Sequence, residues 1–185
     1  MLNGRHETAA FRRICVLNTR IETTVKESSK LSGTLCPVSR SQAIVGDRWS
    51  LVIMRELFMG NRRFDSLMAQ TQATPQMLAT RLKKLEKSGM IRRKPYMVRP
   101  PRYEYHCTEM GQAFYPIIRA LREWGENWCK SKGEPITVRY THKSCEGNAG
   151  LGAVCETCGE LLTRADLIPK LSAPYASERA AREAA

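Results

Sequence analysis

The stretch TPQMLATRLKKLEKSGMIRRKPYMVRPPRYEYHCTEMG, Thr74–Gly111, decides the fold. It opens on a helix start: Thr74 can cap with its hydroxyl, and Pro75 at the first helical position gives up no backbone bond the helix needs. Leu78, Leu82 and Leu85 then recur at helical spacing as one apolar stripe. Ser88-Gly89 supplies the stop. At about 100° per residue the opposite face carries Gln76, Thr80, Lys83 and Lys87, with Met77 and Lys84 on its flank. Beyond the stop the pattern changes. Met90–Tyr96 and Arg102–Cys107 have strand composition, and Arg99-Pro100-Pro101 between them predicts a bend. A β-hairpin with a basic, proline-stiffened tip therefore follows the helix. Thr108-Glu109-Met110-Gly111 starts another helix.

Toward the N-terminus, Pro37 and Ser39 mark a helix start just after Cys36. Ile44, Val45, Trp49, Leu51, Val52, Met54, Leu57 and Phe58 predict one long helix, or two meeting at Gly46-Asp47, ending before Gly60-Asn61. Phe64, Leu67 and Met68 give a short second helix that stops near Gln70–Ala73. Residues 1–35 show no sustained periodicity and are expected to form a loosely ordered arm. Toward the C-terminus, Phe114, Ile117, Ile118, Leu121, Trp124 and Trp128 make a helical stripe of large residues. The expected domain spans 36–134. A small Cys/His segment over 135–165 and an alanine-rich flexible tail over 166–185 follow it.

The net charge of +12 is unevenly placed. Residues 36–130 carry 17 basic and 8 acidic side chains, whereas 131–185 carry seven of each. Residues 81–102 alone hold nine basic residues against the single acid Glu86. Such concentration marks a polyanion site. A leucine stripe would be core in any amphipathic helix, and a lysine-rich face by itself would be solvated surface. Helix, hairpin and charge together point to double-stranded DNA. Two helices joined by a short turn hold the second at an angle that enters the major groove. There Gln76 and Thr80 can reach base edges, and Arg81, Lys83 and Lys84 can reach phosphates. Arg99 or Arg102 would follow the backbone or enter a neighbouring minor groove.

CPVSRSQAIVGDRWSLVIMRELFMGNRRFDSL (Cys36–Leu67) resembles the start of an HxlR-type helix-turn-helix domain, and Thr74–Gly111 resembles its recognition helix and wing. The GDRWS block, the RRF turn and the RPPRYEY wing are the strongest parts, and the likeness continues through Trp124–Trp128. It implies a winged helix-turn-helix related to the MarR group: mainly α with a small β-hairpin, and a homodimer through terminal helices. It further implies a sequence-specific DNA-binding transcriptional regulator, with repression by promoter occupancy as the expected mechanism. A small ligand or thiol oxidation are the candidate signals. By this resemblance Thr74, Gln76, Met77, Thr80, Arg81, Lys83 and Lys84 take recognition-helix positions, and Arg99 and Arg102 the wing. Phe114, Ile117, Ile118, Leu121 and Trp124 take the dimer contact, although a monomeric core would use the same residue types. Some relatives sense oxidants at the position of Cys36, through a thiolate near a helix N-terminus; a buried inert thiol is the plain alternative.

Seven cysteines are an odd number, in a chain whose first 20 residues are interrupted by Arg5, Arg12, Arg13 and Arg20. No signal-peptide core fits there, and no stretch nears the roughly 20 apolar residues that span a bilayer. A cytoplasmic location without a disulfide framework is therefore expected. His142-x-x-Cys145 and Cys155-x-x-Cys158-Gly159 can supply four ligands to a tetrahedral Zn²⁺. Only nine residues separate the two pairs, and the first ends Cys-Glu-Gly rather than Cys-Gly, so inert thiols or a disulfide stay open. His6 and His106 have no partner pattern. Two rival classes remain: a thiol-redox enzyme using Cys155 and Cys158, and a zinc-bearing module for protein or RNA interaction. The first lacks the βαβ surroundings that motif needs. No acid/base pair or nucleophile elbow suggests an enzyme of another kind.

Overall fold

The computed structural model describes residues 33–184. Most of the expected N-terminal arm, with His6, lies outside the described residues. Contacts divide the chain into two units, one ending at Ala43 and one beginning at Ile44. Helix α1 spans Pro37–Val45, and the Cys36 carbonyl at its start accepts the Arg40 N–H at 3.1 Å.

Three helices follow, α2 (Ser50–Phe58), α3 (Phe64–Thr71) and α4 (Pro75–Lys87). The break at Gly46-Asp47 has a direct cause. The Asp47 carboxylate accepts the N–H groups of Trp49 and Ser50, each at 3.0 Å, and the Ser50 hydroxyl at 2.6 Å, so α2 starts afresh there. Helix α3 ends where Gln72 turns left-handed, at φ 56°. Thr74 then caps α4 by accepting the Met77 N–H at 3.4 Å. Leu78, Leu82 and Leu85 are all buried, with Ile53, Met54, Leu67 and Ile91, in the core of the domain. Each such side chain contributes about 2 kcal/mol by leaving water. Gly89, at φ 79°, reverses the chain after α4 into the hairpin.

Strands β1 (Ile91–Met97) and β2 (Arg102–Cys107) pair antiparallel from Ile91 opposite Cys107 to Met97 opposite Arg102. The segment just before α3 touches the hairpin through a single bridge: Arg63 bridges to Glu104, and the Tyr105 N–H donates to the Arg62 carbonyl at 2.8 Å. This arrangement is a winged helix-turn-helix, mainly α with a small hairpin.

Two expectations need correction. The helix after Thr108 is not continuous but splits into α5 (Glu109–Ala113) and α6 (Tyr115–Trp128). Pro116, in the first turn of α6, lacks the N–H and crowds the carbonyl four residues back, so α5 cannot run on through it. The alanine-rich end is not a frayed tail either. β3 (Val138–His142) pairs antiparallel with β4 (Leu167–Leu171), and α7 (Ala173–Ala184) packs on α3. Its anchor is Arg179, whose guanidinium meets the fully buried carboxylate of Glu56 at 2.6 and 2.9 Å. Gln70 adds a bond at 2.9 Å to the Arg179 carbonyl. The small Cys/His segment thus extends past 165 through β4. Among the described residues no helix is long and apolar enough to cross a membrane.

Candidate nucleic-acid interface

Because the leucine stripe docks α4 on the domain, the opposite face is left outward. Gln76, Ala79, Thr80, Lys83 and Lys87 are all exposed, and Met77 is half-buried. The Thr80 hydroxyl donates to the Gln76 carbonyl at 2.8 Å, which leaves its oxygen free to accept. Lys83 pairs with no carboxylate among the described residues, so its ammonium is available to an anion.

Arg81 and Lys84 sit differently from the expectation. Both are half-buried and turn toward Asp47, with Arg81 Nε 3.4 Å and Lys84 Nζ 3.6 Å from its two carboxylate oxygens. A carboxylate that caps α2 still has acceptor capacity to spare, and the two cations of α4 use it. Burial by itself would raise the Asp47 pKa. The Ser50 hydroxyl, the Trp49 and Ser50 N–H groups and the Arg81 charge outweigh burial and hold it below the usual carboxylate value. Asp47 therefore stays ionised and ties α4 to the start of α2. Composition carried no signal for this contact, although Asp47-x-x-Ser50 has the spacing of a cap.

The wing is tied to the same helix. Arg93 on β1 meets Glu86 of α4 at 3.0 Å, which consumes the only acid of the basic block. Arg63 lies over the Tyr96 ring at 4.7 Å and reaches Glu104 at 3.5 Å; His106 faces the same carboxylate at 3.4 Å. With the acids so occupied, Arg99 and Arg102 remain exposed at the hairpin tip, and Arg92 and Lys94 along β1. The result is a polar, outward face on α4 flanked by an uncompensated basic wing.

The other expected site residues separate into groups. Phe114 is buried in the chain's own core and Ile118 half-buried beside it, whereas Ile117, Leu121 and Trp124 are exposed. Trp128, 77% exposed, extends that outward line. Cys36 is exposed, and its thiol is lowered below the ordinary value by the Ser39 N–H, then by the Ser39 hydroxyl and the Val38 N–H. Cys107, by contrast, is half-buried and pushed up to about 11 by burial. His142, Cys145, Cys155 and Cys158 come together in one cluster around the β3 end.

Residues 44–133 match the HxlR-like helix-turn-helix family. An uncharacterized HTH-type transcriptional regulator of Mycobacterium tuberculosis (strain ATCC 25618 / H37Rv) is 36% identical over 134 residues, 72% of this chain and 84% of its own length. A second such regulator, from Synechocystis, is 33% identical over 102 residues, 55% of this chain and 76% of its own. The crystal structure of PA1607, a candidate transcription factor, has a TM-score of 0.61 at 28% identity, over 78% of this chain and 99% of that one.

Proposed function

The chain belongs to the HxlR-like helix-turn-helix family of transcriptional regulators, and from that premise we propose that it binds promoter DNA sequence-specifically as a homodimer and represses by occupying the site. The observation that carries this reading is the outward face of α4. Gln76 and Thr80 are exposed on it with side chains that suit base edges, Lys83 beside them is uncompensated, and Arg99 and Arg102 extend the cationic surface along the wing. Arg81 and Lys84 serve it from behind, by orienting α4 through Asp47.

Pairing of two chains is supported by α6. Ile117, Leu121, Trp124 and Trp128 are all exposed and recur at spacings of four, three and four, the seam of a coiled coil. A two-fold seam would place two α4 helices on successive major-groove faces. Footprinting on a bound promoter duplex tests this: two protected half-sites about 10 bp apart are expected, together with a fall in transcription from that promoter in vitro. A single protected half-site, or a rise in transcription, would overturn the dimer or the repressor reading respectively.

Two inputs fit the structure. Cys36 is exposed and its thiol is acidified at a helix start, which suits oxidation. A cavity of about 380 Å³ lies among α2, α6, β3 and α7, lined in part by Val52, Phe58, Ile118 and Tyr140. Arg119 and Arg122 also line it, and their Nε and Nη1 atoms are buried without a hydrogen-bond partner among the described residues. An apolar cavity with unspent guanidinium donors suits a small apolar carboxylate. Benzoate used as a probe is expected to raise the melting temperature of the wild type but not of Arg119→Leu, and equal shifts would exclude the cavity as its site.

A further inference from the structure

Four donors of the metal-ligating type converge from separate parts of the C-terminal segment. His142 ends β3, Cys145 lies in the turn after it, and Cys155 and Cys158 lie in the loop that leads back to β4. Their ligand atoms all lie within 4.8 Å of one another. Cys145 Sγ stands 3.5 Å from His142 Nδ1 and 3.7 Å from Cys155 Sγ, and Cys158 Sγ stands 3.3 Å from the same Nδ1. A tetrahedron with Zn–S about 2.3 Å and Zn–N about 2.0 Å has edges of roughly 3.5–3.8 Å. The observed separations are close to those edges. We propose that this segment binds a structural Zn²⁺ through His142 Nδ1 and the thiolates of Cys145, Cys155 and Cys158.

The donor set selects the ion. Three thiolates and one imidazole suit a borderline-soft cation at tetrahedral geometry, and four protein ligands leave no open position for catalysis. A disulfide would use two sulfurs and strand the other two donors at the same spot, His142 among them buried. Outside the ligands, Glu160 Oε2 lies 3.7 Å from His142 Nε2. The Ser144 hydroxyl donates to that carboxylate at 2.9 Å and lies 3.2 Å from Nε2, so a hydroxyl and a carboxylate form an outer polar layer beside the imidazole.

The backbone resolves the irregular first pair. Glu146 follows Cys145 at φ 54°, and Gly159 follows Cys158 at φ 78°. Both halves therefore make the same left-handed turn after the second ligand, where glycine is favoured and Glu146 stands at a steric cost. Cys-Glu-Gly and Cys-Gly are two sequences for one turn.

The segment also needs a staple. Its buried apolar side chains are few: Val138, Ala149, Leu162 and Leu167. So small a core supplies little stability unaided. Yet α6 depends on it. Arg119 donates to the carbonyls of Gly150, at 3.4 Å, and Gly152, and Arg122 donates to that of Val138. The ion would hold the loop that presents the Gly150 and Gly152 acceptors to α6.

The test is metal content of the full-length chain purified under thiol reductant without chelator. One zinc per chain is expected, retained by Cys36→Ser and Cys129→Ser and lost from the double variant Cys155→Ser/Cys158→Ser. Because that variant can fail to fold, wild-type protein stripped of metal is also titrated with Co²⁺. The intense visible bands of a tetrahedral cobalt–thiolate site, with sulfur-to-metal charge transfer, are expected to saturate at one equivalent. Substoichiometric zinc together with no such cobalt spectrum overturns the proposal, as does a Cys145–Cys155 disulfide in protein kept reduced throughout.

Discussion

Asp47 and Arg81 face each other at 3.4 Å across the angle between α2 and α4, so the residue that starts one helix also orients the next but one. Lys84 shares the same carboxylate at 3.6 Å. Within a helix-turn-helix this makes the pose of α4 depend on a side chain at the start of α2. Asp47→Ala removes the cap and both ion pairs together. It is expected to cost about 1–2 kcal/mol in chemical denaturation and to weaken DNA binding beyond what the fraction unfolded explains. Asp47→Asn keeps an acceptor for the α2 N–H groups and should recover most of the stability but not the affinity. Equal losses in both variants would mean that Asp47 acts as a charge alone.

Glu56 and Arg179 lie 123 residues apart in sequence and hold α7 to the domain. Arg179→Ala leaves the Glu56 carboxylate buried with only Arg55 and Asn61 to compensate it. A loss of about 3 kcal/mol is expected from urea unfolding. The double variant Glu56→Gln/Arg179→Met should lose less than Arg179→Ala alone. A loss in Arg179→Ala within the range of ordinary surface substitutions would show that α7 is not anchored by this pair.

The same carboxylate predicts acid behaviour. Burial would raise the Glu56 pKa, but the Arg179 hydrogen bonds and the Arg55 and Arg179 charges hold it below 4.5. A group depressed in the folded state contributes stability above its unfolded value and loses it as pH falls through the folded value. Stability from Glu56, and likewise from Asp47 with its reference of 3.8, is thus present at neutral pH. It declines only below about pH 4.5. Denaturation midpoints measured across pH 7 to 3 should show this acid limb, shallower in Glu56→Gln. An unchanged limb in that variant assigns it to other carboxylates.

Leu121 and Trp124 expose 44% and 57% of their surface on α6, which costs nothing if a second chain covers them. Leu121→Asp and Trp124→Ala are expected to shift the chain from dimer to monomer in sedimentation velocity while leaving helical content intact. A wild type that sediments as a monomer at micromolar concentration would contradict the pairing directly.

Cys36 and Cys107 differ in both access and acidity. At pH 7 iodoacetamide should label Cys36 well before Cys107, as read by peptide mass spectrometry. Diamide should release DNA from the wild type and not from Cys36→Ser. Labelling in the reverse order would mean that the acidified thiol is not the reactive one, and an unchanged diamide response in Cys36→Ser would dispose of Cys36 as a sensor.

The parts of this molecule that could be read from the chain are those governed by local periodicity. The Leu78–Leu82–Leu85 stripe, the Thr74-Pro75 start, and the proline bend between β1 and β2 each follow from neighbours within a few positions. What escaped the sequence lies in contacts between distant elements. Arg81 and Lys84, expected as phosphate ligands, also pair with Asp47, and no pattern within α4 indicates that contact. Phe114 and Trp124 belong to one apolar stripe in sequence, yet one faces the core and the other solvent, because Pro116 restarts the helix between them. Helix α7 looked like a tail because its alanines carry little hydrophobic signal; what anchors it is one arginine reaching a buried glutamate.

The most direct test of the regulator reading is equilibrium binding to the promoter duplex and to an unrelated duplex at several salt concentrations, with wild type, Gln76→Ala and Lys83→Ala. Selective binding by the wild type is expected. Gln76→Ala should lose about 1–3 kcal/mol of discrimination at one base position. Lys83→Ala should weaken binding to both duplexes alike and lower the salt slope by about 1. Equal affinity for both duplexes, unaffected by Gln76→Ala, would contradict sequence reading by α4 and leave only phosphate attraction.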